Sequence, residues 1–398
     1  MHPEQLRKDF PLLCLEKPPI YFDNACMTLR PRQVVEAMDR YYLEFPACGE
    51  RSHHTLGKRV TEEVAKAREQ VRRFINARRS EEVIFTKNAT ESINTVLQGL
   101  DWKSGGIIAS SDREHNSNLL PIQRLKSRGV KHRVVPSLPD SSFDLVAFQK
   151  QVQGARLVSI VSVSNLDGYI MPVKEIIRIA HKAGALVMLD AAQAAPHQAM
   201  DVRDLDVDFL AFSGHKMLGP SIGVLYGKKE LLAQIEPLSL GGGTVSDSTY
   251  DASTPEQLPE RFEAGLQNYA GIIGLSAATQ YLLKIGMHKV EQHERSLNMA
   301  LQKGISEMKG MHLLGPGADK CSGITSFFVD KVDHHQIALL LDQTANICVR
   351  SGQHCVHSWF HARKIDGSVR ASLYLYNTEK EVETFISKLS QLLRGLRP

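Results

Sequence analysis

The chain has 398 residues, of which 48 are basic and 44 acidic for a net charge of +4. That near balance lacks the clustered excess of Lys and Arg that an extended nucleic-acid face needs. At 42% hydrophobic and 23% charged residues, the composition is that of a globular protein long enough for two domains and a sizeable core. The opening run MHPEQLRKDFPLL has no apolar stretch of signal-peptide length, and no apolar run reaches the ~18–20 residues of a membrane span. Six cysteines (Cys14, Cys26, Cys48, Cys321, Cys348 and Cys355) form no CxxC pair and read as reduced thiols. These features together predict a cytoplasmic protein that binds neither nucleic acid nor membrane.

From about residue 60 to 230, short apolar runs alternate with helical stretches. EEVIFT (81–86) reads as a strand and ESINTVLQGL as the helix after it. GGIIASS (105–111) is the next strand, followed by a long helical segment. ARLVSIVSVSN (155–165), ALVMLDAAQ (185–193), VDFLAFSG (207–214) and IGVLYG (222–227) continue the series. Strands apolar on both faces and separated by amphipathic helices predict an α/β fold: a mostly parallel sheet covered by helices on both sides. Residues 237–260 read as a long polar loop, and YAGIIGLSAATQYLLKIG opens a helical region running towards residue 309. The remainder suggests a smaller α+β domain. The expected division is a large domain, 21–284, and a small one, 285–398, with residues 1–20 packing on the latter.

Ligands of an open parallel sheet sit beyond the carboxyl ends of its strands, where this chain gathers its polar residues. Asn165, Asp190 and the group Ser213, His215 and Lys216 follow three of the strands; Thr86–Thr90 and Ser110–His115 follow two more. A lysine forms a Schiff base when its amine is partly neutral, which burial favours. Taken alone, Lys216 reads as a surface-loop lysine; its setting FSGHKMLGP (212–220) argues otherwise. Asp190, ending LVMLD, is placed to keep a pyridine nitrogen protonated, or to serve as a strand-end hydrogen bond. Gln193 stands three residues on, suited to a phenolic oxygen. Ala89 and Thr90 in KNATES lie between a strand and a helix, where backbone N–H groups make an anion cup or an ordinary cap. His115 either stacks on a planar ring or is a polar surface residue. Strand alternation in SVRASLYLY places Arg370, Ser372, Tyr374 and Tyr376 on a polar face; from there Arg370 could clamp a carboxylate or make a surface ion pair. Cys355, in RSGQHCVH, is a candidate nucleophile whose thiolate His354, His357 and Arg350 would favour. Other readings are an inert thiol, or a metal site with His357 and His361 that lacks a fourth ligand.

In combination these segments resemble pyridoxal-5′-phosphate (PLP) enzymes of fold type I, aminotransferase class V, and specifically cysteine desulfurases of the SUF-pathway (group II) type. The resemblance runs from about Tyr21 to the C-terminus and rests on YFDNA (21–25), FTKNATESIN (85–94), EHNSNLLP (114–121), LDAAQAAPH (189–197), DFLAFSGHKMLGP (208–220), RFEAG (261–265), VRSGQHC (349–355) and VRASLYLYNT (369–378). It implies Lys216 as the Schiff-base lysine, Asp190 as pyridinium partner, Gln193 as phenolic-oxygen contact and His115 as stacking acid/base. Ala89, Thr90, Ser213 and His215 become cofactor contacts at the phosphate, Asn165, Arg370 and Cys26 substrate contacts, and Cys355 the persulfide carrier. It also implies L-cysteine or selenocysteine as substrate, a homodimer, and a sulfur-acceptor protein or scaffold, with no metal. The chain departs from the family pattern at Cys26, Cys48, Asn88–Ala89, Leu266 and Val356–His357. Alternatives to cysteine desulfuration are a selenocysteine lyase, another class V lyase or transaminase, and a non-catalytic sulfur or iron-sulfur scaffold using Cys26, Cys48 and Cys355.

Overall fold

The computed structural model describes residues 2–50 and 52–396. A two-residue strand, β1 (Ile20–Tyr21), precedes seven strands that form the central sheet: β2 (Val83–Thr86), β3 (Gly106–Ser111), β4 (Val130–Val135), β5 (Leu157–Val161), β6 (Leu186–Asp190), β7 (Phe209–Ser213) and β8 (Gly223–Gly227). Their order is β2-β8-β7-β6-β5-β3-β4. The pairs from β4 through β7 are parallel, while β8 runs antiparallel to both of its neighbours. The expected α/β architecture is therefore present.

Alternation within the strands explains why the sheet is covered on both sides. Leu210 and Phe212 of β7 enter one apolar core while Phe209 and Ala211 enter another, so each face must be roofed by helices. The helix Thr55–Phe74 buries Val60, Val64, Ala67, Val71 and Phe74, a spacing of three and four that keeps one face inward. Its start is capped by His54, whose side chain accepts from the Gly57 N–H.

Three expectations change. The segment after β3 is not one long helix: the helix Asn116–Arg124 ends through a turn at Gly129 (φ 78°), and β4 follows as an edge strand. Its sequence VKHRVV is polar in the middle because one side of an edge strand faces solvent. The loop 237–260 contains a short exposed hairpin, β9 (Val245–Ser248) with β10 (Ser253–Pro255). The helical region 269–309 breaks at Gly286 (φ 93°) into Tyr269–Ile285 and Met287–Ser306.

The second helix brings Leu297, Leu301 and Ile305 to a separate core. That core lies under a four-stranded sheet made of β11 (Met311–Leu313), β12 (Ile324–Val329), β14 (Arg350–Gly352) and β15 (Ser368–Ser372), while β13 (Ile347–Cys348) pairs in parallel with β1. β15 ends at Ser372, and the supposed polar face of 370–376 is buried: Tyr374 and Tyr376 are fully inside. Their hydroxyls are satisfied across the chain, Tyr374 donating to Pro196 O at 2.9 Å and Tyr376 to Asn24 Oδ1. The N-terminal segment touches more than the smaller unit. Phe10 packs between Tyr281 and Tyr376, Tyr281 donates to Asp9 at 2.7 Å, and Arg7 pairs with Glu381 at 2.7 Å.

One buried ion pair ties the helical roof to the sheet edge. Arg68 meets Glu263 through two hydrogen bonds of 2.7 and 2.8 Å, and Glu263 also accepts from Phe85 N–H at 2.7 Å. Burial disfavours the Arg68 cation, and Glu263 more than compensates, holding it above its ordinary pKa. Glu263→Ala leaves that guanidinium buried and unpaired, so the substitution is expected to destabilise the protein by about 3–5 kcal/mol, read as a lower urea midpoint.

Candidate active site

A cavity of about 290 Å³ opens beyond the carboxyl ends of the parallel strands and is walled on its far side by residues of the smaller sheet. All twelve residues singled out in the sequence line it: Cys26, Ala89, Thr90, His115, Asn165, Asp190, Gln193, Ser213, His215, Lys216, Cys355 and Arg370.

The backbone explains the placement of the anion cup. Asn88 caps the helix Ala89–Gly99 by accepting from Glu91 N–H, and Ala89 N–H donates to Ser213 Oγ at 2.8 Å. Thr90 Oγ1 lies 2.7 Å from Ser117 Oγ. This packing needs glycine at 223 on neighbouring β8, where a Cβ would come within 2.3 Å of Thr86 Oγ1. The helix start, three hydroxyls and His215 thus share one end of the cavity.

Lys216 follows β7 in a turn whose far side is tied down by Thr28, which donates its N–H to His215 O and accepts from Leu218 N–H. Removal from water pushes the Lys216 amine below the ordinary lysine range, with Asp190 opposing and Arg370 assisting. Asp190 is buried at the end of β6 and its carboxyl is raised by burial, although Ala192 N–H donates to it at 3.0 Å. A cationic ring nitrogen beside it would favour its charged form. His115 is pushed to about 3 by burial and by Lys216 and Arg370, so its ring is neutral. Its Nδ1 accepts from Ser117 N–H at 3.0 Å, which places the ring proton on Nε2. Beneath it, Glu114 accepts from Ser111, Asn118 and Val161 N–H, and burial holds its carboxyl at about 7.

The smaller sheet supplies the opposite wall. Arg370 is buried, donates to Asn165 O at 2.9 Å and lies 3.6 Å from Asp23. Arg350 pairs with Asp23 at 3.0 Å and donates to Cys26 Sγ. It therefore serves Cys26 and not Cys355, contrary to the expectation from sequence. His354 gives Cys355 no cation either, because burial and the two arginines push it to about 2. Cys355 itself is exposed at the rim. Gln193 Nε2 donates to Ala25 O at 2.7 Å, leaving Oε1 without a partner; the second N–H of Nε2 remains as a donor for a phenolic oxygen. Leu266 is largely exposed.

Sequence reading missed Asp23, which organises both arginines, and Ser117 at the anion cup. Asp23 stands within the quoted YFDNA segment, but nothing local shows that its partners lie more than 320 residues away. Buried atoms without partners converge here: Asn165 Oδ1, Gln193 Oε1, His354 Nδ1 and Arg370 Nε. Such atoms are costly unless a ligand completes them. The anion cup, a buried carboxylate, a stackable neutral imidazole and a desolvated lysine fit PLP, a phosphate-bearing aromatic aldehyde.

The chain belongs to the aminotransferase class-V family, whose model matches residues 20–385. A relative from Pyrococcus abyssi, named probable cysteine desulfurase, is 42% identical over 401 residues, covering 99% of this chain and 98% of the relative. Another of that name, from Methanothermobacter thermautotrophicus, is 40% identical over 400 residues, 98% of each. The apo structure of a cysteine desulfurase from Thermococcus onnurineus matches with a TM-score of 0.95 at 41% identity, covering 99% of both chains. A cysteine desulfurase from Escherichia coli, solved in an S-sulfonic acid form, matches at TM-score 0.90 and 32% identity over 99% of both.

Because burial lowers the Lys216 amine, capture of PLP by cofactor-free protein is expected to rise with pH and level off below the ordinary lysine pKa of ~10.4. Asp190 is the charge that raises this amine, so Asp190→Asn moves the midpoint to lower pH; cofactor absorbance follows both.

Proposed function

We propose that this protein is a PLP-dependent cysteine desulfurase that converts L-cysteine to L-alanine and leaves the sulfur as a persulfide on Cys355 for an acceptor. The observation that carries this reading is that Cys355 and Arg370, from the smaller sheet, share one cavity with Lys216, Asp190 and His115 of the larger one. Full-length likeness to several proteins named cysteine desulfurase supports it. Residues 21–284 would form the cofactor-holding domain and 285–398 the smaller one.

When bound, PLP supplies an aldehyde that takes an amine covalently and a ring that withdraws electrons from Cα. The chain's residues do the rest. Thr90, Ser213 and His215 hold the phosphate end with Ala89 beside them, and Asp190 faces the ring nitrogen. Arg370 binds the substrate carboxylate, with Asn165 and Cys26 beside it. The Lys216 amine, kept partly neutral by burial, takes the Cα proton, and neutral His115 covers the ring and relays protons through Nε2. The Cys355 thiolate attacks the substrate sulfur, so that an S–S bond forms while the Cβ–S bond breaks and leaves its electron pair on carbon. Protonation of that carbon gives the methyl group of alanine.

A second copy of the chain is part of the same proposal. No helix among the described residues is long and apolar enough to cross a membrane.

The test is alanine and sulfide release from L-cysteine, with L-selenocysteine as comparator and with or without a thiol acceptor. Cys355→Ser is expected to reduce alanine release from cysteine to background while retaining PLP; undiminished release would remove Cys355 from its role. His115→Ala is expected to lower kcat by about 10²–10⁴.

A further inference from the structure

Cys355 is not the only thiol in the cavity: Cys26 lines it too, together with Lys216 and Arg370. Cys26 closes a tight turn in which its N–H donates to Asp23 O at 3.1 Å, while Ala25 N–H donates to Ser372 Oγ at 2.8 Å. Its sulfur is therefore carried on backbone fastened to the smaller sheet. Arg350 Nη2 donates to Cys26 Sγ and is itself held by Asp23 at 3.0 Å. Guanidinium hydrogen bonds are strongest to an anion, and the thiolate is the form of cysteine that attacks sulfur.

The proposed reaction brings a partner for that thiol into the cavity. Arg370 is buried, its Nε has no partner, and Cys26 lies close enough to bear on its charge. Cys26 and Cys355 both bear on the Lys216 amine as well, so the two sulfurs are grouped about one centre. A substrate held by its carboxylate on Arg370 has its own sulfur in the space that Cys26 borders. The Cys355 thiol, exposed at the rim, meets that sulfur inside the cavity. Once it has done so, the outer atom of the Cys355 persulfide stands where the substrate's sulfur stood, in front of Cys26.

We propose that Cys26 is a second sulfur carrier, which takes the outer sulfur of the Cys355 persulfide and returns Cys355 to its thiolate for another substrate. The Cys26 thiolate supplies the electron pair of the new S–S bond. The S–S bond to Cys355 breaks, and its pair stays on the Cys355 sulfur. The persulfide proton travels with the transferred sulfur, so the exchange consumes neither oxidant nor reductant. The chain then holds two sulfurs before it meets an acceptor. The inference rests on the persulfide role given to Cys355 under the proposed function.

Trapping and stoichiometry test it together. PLP-loaded protein is given L-cysteine without a thiol acceptor and alkylated while still folded, and the peptides bearing each cysteine are weighed. Added sulfur is expected on Cys355 first and on Cys26 after it. Cys14 and Cys48, exposed thiols that do not line the cavity, are expected to stay bare, as is Cys26 in Cys355→Ser. The burst of alanine is expected to be about two per chain in the native protein and about one in Cys26→Ala and Cys26→Ser. Its amplitude is the readout, because the rate also depends on how the substrate is seated. Equal bursts with sulfur confined to Cys355 would overturn the inference alone. So would loading of Cys26 no greater than that of Cys14 and Cys48, or loading of Cys26 in Cys355→Ser. If no alanine forms and Cys355 stays bare, the proposed function fails and this inference with it.

Discussion

Between Phe22 and Leu218 runs a short ladder of hydrogen bonds on which both walls of the cavity depend. Ser372 N–H donates to Phe22 O at 2.7 Å, Asn24 Nδ2 to Ser372 O at 2.7 Å, and Ala25 N–H to Ser372 Oγ at 2.8 Å. A few residues on, Ala25 O accepts from Gln193, and Thr28 bonds to both sides of the Lys216 turn. One segment, turning at residues 24–26, is thus fastened to the end of β15 and to the ends of β6 and β7. Arg370 two residues before Ser372, and Lys216 beside Thr28, take their separation from this seam. Little of it depends on apolar burial; it is a set of directional bonds, and those fix position more sharply than packing does.

Electrostatics within that frame follow from dehydration. The cavity concentrates cationic groups, Lys216, Arg350 and Arg370, with Asp23 and Asp190 as the carboxylates that oppose them. Burial pushes the imidazoles of His115, His215 and His354 to about 3, 4 and 2, so they contribute donors and acceptors without adding charge. What remains is a site short of negative charge, suited to an anionic cofactor and a carboxylate substrate.

Much of this was legible in the sequence because strand ends are local features. The apolar runs ending in Asp190 and Ser213 announce both the parallel sheet and the side of it on which chemistry gathers, and the segment around Lys216 carries its own context. The turn at Gly129, the strand β4 and the hairpin of β9 and β10 were not legible, since short edge strands have too few apolar residues to show a period. Alternation at 370–376 shows a polar face but not its burial, which comes from residues 22–29 and 196, far away in the chain. The pairing of Arg350 with Cys26 and Asp23 was hidden for the same reason: sequence gives the charge and not its partner.

The seam also orders events in time. Ala25 and Ser372 are 347 residues apart in the chain, and closing so long a loop must wait until almost the whole polypeptide has been made. The central sheet, whose strands lie between residues 83 and 227, can assemble with its lysine in place well before that. During synthesis, then, the cofactor half of the cavity exists first with its mouth unwalled, and Cys355 meets Lys216 only in the last stage of folding. Lys216 and Cys355 thus come to line one cavity only when both of its walls are folded.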